Sequence, residues 1–238
     1  MSQSFSFQSF AQNMSMKIEA PVRTHLAKVY SCLAATTAVA AVGAFVHLRE
    51  IWQAGIMSAL VSLGLVLALH FVPYNGKNLQ MRLAMLMGFG FFTGNSMGPL
   101  LDHVILLNPQ IIVTALVGTC VVFVSFTLAA LLAHRGQYLF LGGILISTLS
   151  YMGLFSLLNL FMRSPLVYQG QLYIGLGVMS AFILYDTQAI MEKCRMGSKD
   201  IVGHSLDLFF DLVSIFRRLL VILSQKEQRD QQNRRKRN

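Results

Sequence analysis

Leu206–Leu223 reads LDLFFDLVSIFRRLLVIL, and the placement of this one stretch decides the fold. Thirteen of its residues are apolar, each worth about 0.3–0.6 kcal/mol for insertion into a bilayer, or roughly 4–8 kcal/mol together. Against them stand Asp207, Asp211, Arg217 and Arg218, at roughly 2.5–3.5 kcal/mol each near the bilayer centre. The balance is near zero or unfavourable, so this helix does not belong alone in lipid. At 100° per residue, Asp207, Asp211, Ser214 and Arg218 share one narrow stripe. An amphipathic helix lying flat on the membrane has a broad, basic polar face. A narrow, half-acidic stripe instead favours a helix enclosed by others.

The rest of the chain supplies the enclosure. Of 238 residues, 55% are hydrophobic and 12% charged, against roughly 25% charged in a soluble domain. Six further apolar runs approach or exceed the roughly 20 residues that a bilayer core needs: Val29–Leu48, Ile51–Val72, Met81–Leu101, Ile111–Ala133, Tyr138–Phe161 and Tyr168–Ile190. Pro73-Tyr-Asn-Gly76, Asn108-Pro109, Arg135-Gly136 and Ser164-Pro165 break them with turn chemistry. The expected protein is all-α and integral to the membrane, a bundle of seven transmembrane helices. Its parts are an N-terminal segment 1–28, a transmembrane domain 29–223 and a basic, disordered tail 224–238.

Charge orients the bundle. Lys17, Arg23 and Lys28 precede the first span, Lys77 and Arg82 follow the second, Arg135 follows the fourth, and Lys193, Arg195 and Lys199 follow the sixth. The positive-inside rule then predicts a cytosolic N-terminus, with the even-numbered loops on the same side. Six of the 19 Lys and Arg residues lie in Gln225–Asn238. Such a tail reads as a membrane flank rather than a nucleic-acid site. If the last segment spans, that tail lies opposite the N-terminus, against its own charge. If it enters and turns back, the tail stays cytosolic. Both routes are open to the sequence.

Small residues, including Ala34, Ala38, Ala41, Gly142, Gly143, Gly175 and the pair Gly90 and Gly94 at GxxxG spacing, permit close helix approach. Cys32, Cys120 and Cys194 suggest neither a disulfide framework nor a metal site. No phosphate loop, zinc spacing or nucleophile elbow is present. The first 28 residues lack the apolar core and cleavage site of a signal peptide.

Asp186 in the sixth span lies behind Phe182 and Ile183, six residues before Glu192. Asp211 lies five residues into the next segment. At 1.5 Å per residue, both carboxyls sit roughly 8–9 Å deep from one membrane face. Antiparallel neighbours would hold them at one level. Two carboxyls that meet in a low-dielectric interior share a proton, and the titration belongs to the pair. An intramembrane acid is by default a functional residue, commonly on an ion path or proton relay. The competing structural reading pairs Asp211 with Arg218, or Asp207 with Arg217 or Arg218. An intramembrane aspartyl protease also needs two such acids, and Tyr185-Asp186 fits half of its signature. Its Gly-x-Gly-Asp half is missing, because Phe209-Phe210-Asp211 stands there, so the chain is read as a non-enzyme.

These residues resemble the Bax inhibitor-1 family, also called the transmembrane Bax inhibitor motif family, over nearly the whole chain. The likeness is carried by His25-Leu-Ala-Lys-Val-Tyr30, by Gly88-Phe-Gly-Phe91 to Gly98-Pro99 and by Tyr138-Leu-Phe-Leu-Gly-Gly143. Tyr185-Asp-Thr-Gln188, Asp207-Leu-Phe-Phe-Asp-Leu212 and Phe216-Arg-Arg218 complete it. The resemblance implies seven helices with the last, charged one central, residence in the endoplasmic-reticulum membrane, and a pH-dependent leak of Ca²⁺ coupled to suppression of cell death. It implies that Asp186 and Asp211 form a proton-sensitive latch, with Asp207, Ser214 and Arg218 as its supporting polar stripe. Some bacterial members add a basic residue near the end of the second span, where this chain reads His70-Phe-Val-Pro-Tyr-Asn-Gly. No cofactor or bound metal is expected, Ca²⁺ being the permeating ion, with transient contact at Asp211 and Asp207. The alternative implied by the family is a non-conducting membrane adaptor for cell-death proteins of the Bcl-2 class. The ending Arg235-Lys-Arg-Asn238 resembles a retrieval signal, which requires a cytosolic tail.

Overall fold

The computed structural model describes residues 18–53 and 55–237. The part of the N-terminal segment before residue 18 lies outside them. Among the described residues there are eight helical segments and no strand. They are α1 (Ala20–Leu48), α2 (Ile56–Phe71), α3 (Leu79–Ser96), α4 (Gly98–Leu107), α5 (Gln110–Leu132), α6 (Leu141–Met162), α7 (Pro165–Arg195) and α8 (Ile201–Arg237). Segments α3 and α4 together form the third span, so the architecture is a seven-span helical bundle. Gly76, Gly136 and Gly197 turn the second, fourth and sixth loops at φ of 81°, 70° and 96°, a region that glycine enters without steric cost.

Three boundaries differ from the apolar runs. The second span begins at Ile56 rather than Ile51, because Glu50 takes φ 57° and Gly55 is extended. At 16 residues, α2 is shorter than a bilayer requires. The third span breaks at Met97, where Gly98-Pro99 follows and Pro99 has no N–H to continue the ladder. The last helix does not stop at Leu223. It runs through Arg237, where the sequence reading expects a disordered tail from 224. Residues 224–237 contain neither Gly nor Pro and are rich in Lys, Arg and Gln, all good helix formers. The Gln231 side-chain amide donates to Glu227 one turn back at 3.1 Å.

The central position of α8 is a finding. It packs against α1, α3, α4, α5 and α7, and Val202, Leu208, Phe209, Ile215 and Leu220 are fully buried along it. The outer helices carry the lipid-facing surface: Leu63 and Phe71 on α2, Val117 and Val121 on α5, Leu157 and Phe161 on α6 are all exposed. Near one membrane face, His25 of α1 meets His204 of α8 at 2.9 Å, and Ser205 donates to the Val29 carbonyl at 3.0 Å. Near the other, Ala44 and Leu48 of α1 pack with Leu220 of α8, and Gln228 meets His103 of α4 at 3.0 Å. Helices α1 and α8 therefore run parallel, and α8 crosses without turning back. The alternative of a re-entrant last segment is closed by this geometry. The end of α8 lies on the face opposite the start of α1, so a cytosolic N-terminus and a cytosolic retrieval ending exclude one another.

Glycines set the α1–α3 wall. A Cβ on Gly94 would overlap the Ala40 carbonyl, one on Gly43 would overlap the Phe91 carbonyl, and one on Gly90 would lie 2.8 Å from Thr36 Cγ2. The GxxxG pair thus lies on backbone. Outside the spans, Arg135 donates to both Glu192 oxygens, at 3.0 Å from Nε. These bonds hold the Glu192 carboxyl below its ordinary range. Gly94→Ala should lower stability in detergent by about 1–3 kcal/mol through overpacking. Gly153→Ala, at a site with open space around it, should leave the unfolding midpoint unchanged. Equal midpoints for the two variants would contradict the close approach.

Candidate functional site

The site lies between α7 and α8, which form an antiparallel pair joined by a short loop. Asp200 sets its register. Asp200 Oδ1 accepts from the Gly203 N–H at 2.9 Å, capping α8, while Oδ2 pairs with Arg82 Nη2 of α3 at 2.9 Å. Loop length and cap together fix how far α8 has entered the bundle when it passes Asp186.

At that level is a cavity of about 370 Å³ lined by Asp186, Asp207, Asp211, Ser214 and Arg218, with Leu149, Met179, Phe182 and Phe210 as its apolar wall. All five sequence-selected site residues therefore face one space. Asp186 of α7 and Asp211 of α8 line this cavity from adjacent helices. Asp211 is 2% exposed, and its Oδ2 has no donor among the described residues. A hydrogen bond between two carboxyls needs a proton on one of them, since neither carboxylate has anything to donate. Neither acid is within ion-pair distance of Arg217 or Arg218 among the described residues. The pairing of Asp207 or Asp211 with those arginines, the structural alternative of the sequence, is not formed. Nor is there among the described residues a group of three or more side chains arranged to hold a metal ion. His70, at the end of α2, stacks edge-on against Phe71 and does not line the cavity.

The residues around Asp186 explain why it can be held there. Gln188 is buried, and its amide donates to the carbonyls of Ala130 at 3.3 Å and His134 at 3.0 Å. Its Oε1 accepts from the Tyr138 N–H at 2.8 Å. One side chain thus ties α7 to the end of α5 and the turn before α6. Thr187 meets the Tyr30 hydroxyl of α1 at 3.3 Å, and Tyr30 packs edge-on against Phe123 of α5. Sequence reasoning assigned no role to Tyr30, Thr187 or Gln188. The signals available were their places in the motifs His25–Tyr30 and Tyr185–Gln188 and their polarity inside or beside apolar runs.

A second, larger cavity of about 970 Å³ opens between α2, α3 and α4 on one side and α6, α7 and α8 on the other. Ser62, Thr93, Ser96, Ser156, Tyr168 and Gln171 give it polar lining, and Arg217 and Arg218 lie on α8 at its floor.

Comparison with known proteins adds the family. The family model described as "Inhibitor of apoptosis-promoting Bax1" matches residues 22–228. Bax inhibitor 1 of Drosophila melanogaster is 51% identical over 96% of this chain and 94% of its own length. Bax inhibitor 1 of Homo sapiens is 48% identical over 85% and 86%, and that of Arabidopsis thaliana 38% over 87% and 83%.

Gln188→Leu keeps the volume but strands the Tyr138 N–H and two carbonyls in a buried place. It should cost about 1–3 kcal/mol and lower the thermal unfolding midpoint in detergent. An unchanged midpoint would show that these three bonds contribute nothing to the α5–α7 contact.

Proposed function

The chain belongs to the Bax inhibitor-1 family, and from that premise we propose that it is a pH-sensitive Ca²⁺ leak pathway of the endoplasmic-reticulum membrane that restrains apoptosis. The family's description as an inhibitor of an apoptosis-promoting protein supports the cell-death arm. One observation supports the leak arm: carboxyls from two adjacent helices, Asp186 with Asp207 and Asp211, line one cavity, and no cation within ion-pair distance neutralises them among the described residues.

In this reading Asp186 and Asp211 are the gate. One shared proton holds α7 against α8 by a carboxyl–carboxyl hydrogen bond. A change in protonation changes the attraction between the two helices and so the width of the space between them. Asp207, one turn before Asp211, adds a third carboxylate to the same wall. Carboxylate oxygens suit Ca²⁺ as a hard cation. A wall that carries acids without caging an ion fits passage, since a permeating ion must leave as readily as it enters. Ser214 and Arg218 continue the stripe along α8.

The test is Ca²⁺ flux in liposomes containing the purified protein, measured from mildly acidic to mildly alkaline pH for the unaltered chain, Asp186→Asn and Asp211→Asn. The expected result is a flux that varies with pH in the unaltered chain and loses that variation in either variant. An amide keeps a hydrogen-bonding partner in place but has no proton to exchange in this range. Flux absent at every pH would overturn the leak reading and move the assignment to a non-conducting adaptor for Bcl-2-class proteins. The aspartate pair would then be a buried structural bridge.

A further inference from the structure

The two cavities share four lining residues: Leu149, Phe210, Ser214 and Arg218. Only Arg218 among them is charged. We call the larger cavity the vestibule, and the smaller, itself open to the outside, is the chamber of Asp186, Asp207 and Asp211. The two cavities adjoin at these residues.

Arg218 is held at the junction by shape rather than by a counter-ion. Its Nη1 donates to the Ser214 carbonyl at 3.3 Å. The guanidinium fills a notch over Gly175 of α7, where a Cβ would collide with Nε and lie 2.9 Å from Nη2. Among the described residues no carboxylate lies within ion-pair distance of it. An arginine stays charged in proteins, so a fixed positive charge stands between the vestibule and three acids. Asp211 lies seven residues earlier on α8, about 10 Å along the helix axis, too far to neutralise Arg218 by direct contact.

We infer that Arg218 is the electrostatic barrier of the pathway, a residue that admits cations to the aspartate chamber slowly and discriminates against divalent ones. The inference rests on the leak reading above. The energy of an ion beside a fixed charge scales with the ion's own charge. A divalent cation at the junction is therefore opposed twice as strongly as a monovalent one. The aspartate pair then determines when the pathway opens, and Arg218 how much it passes. The glycine at 175 is explained by the same geometry, because any side chain there would displace the guanidinium.

Arg218→Gln and Gly175→Ala test this in liposomes, with Gly177→Ala as control because nothing lies within 4 Å of that position. Arg218→Gln should raise Ca²⁺ flux by about ten-fold or more, the scale of removing one nearby charge. It should raise K⁺ flux less and leave the pH dependence in place. Gly175→Ala should move flux in the same direction, and Gly177→Ala should not. Unchanged Ca²⁺ flux and an unchanged Ca²⁺-to-K⁺ ratio in Arg218→Gln would overturn the barrier.

A second readout needs no flux. In a chain with Cys32, Cys120 and Cys194 changed to Ser, Ser214→Cys places a thiol at the junction. Anionic water-soluble thiol reagents should modify it faster than cationic ones of similar size, and adding Arg218→Gln should reverse that order. A reagent preference that ignores Arg218 would overturn the inference. A preference that follows Arg218, with Ca²⁺ flux absent from every chain, would sustain the local field and overturn the leak reading instead.

Discussion

Two aspartates and two arginines on one apolar helix cannot face hydrocarbon, at roughly 2.5–3.5 kcal/mol apiece near the bilayer centre. The bundle is arranged around that cost. Helix α8 runs through the middle, with Phe209, Ile215 and Leu220 fully buried against its neighbours, and its acidic stripe lines a cavity between helices. The outer helices can then be nearly featureless apolar cylinders, as the exposed Leu, Val and Phe residues of α2, α5 and α6 show. Enclosing α8 also carries its charges to where a path across the membrane would run. The same constraint shapes fold and site.

The enclosure is not equally tight all round. Along α1 and α3, glycines let backbone lie on backbone, and Asn95 ties the same region together. It accepts from Ser58 at 2.9 Å and donates to the Trp52 carbonyl at 3.0 Å. Helix α6, in contrast, touches the bundle through α7 alone among the close helix pairs, and most of its surface is exposed. The large cavity opens on that looser side. Dense packing on one flank and sparse packing on the other leave α6 the least held of the outer helices.

Within the site, structural and functional roles divide by chemistry. Gln188 and Thr187 find protein partners and act as fasteners. Asp211 is buried and keeps an oxygen without a donor. Natural structures satisfy nearly all buried polar groups, and Asp211 Oδ2 is among the few buried side-chain atoms without a partner among the described residues. At the membrane face, buried Arg82 pairs with Asp200 through Nη2, its Nε and Nη1 having no partner among the described residues, and both lie apart from that cavity. The intramembrane acids left without cationic partners are those that line it.

Hydropathy and charge spacing were enough to read a seven-span helical protein and the enclosure of its last helix. The reason is that lipid forbids unsatisfied backbone and penalises charge, so each leaves a mark on local composition. The beginning of α2 at Ile56, the break at Met97 and the helical continuation to Arg237 did not show in apolar run lengths, because backbone breaks and polar helices carry little hydropathy signal. Whether α8 spans or turns back depended on which residues its two ends meet: His25 at one and His103 at the other. The separation of Asp211 from Arg218 likewise belongs to tertiary structure. Helical spacing places both on one stripe, but only the neighbouring surface of α7, with an acid at 186 and a notch at Gly175, decides that Asp211 shares a cavity with Asp186 and that Arg218 lies over bare backbone.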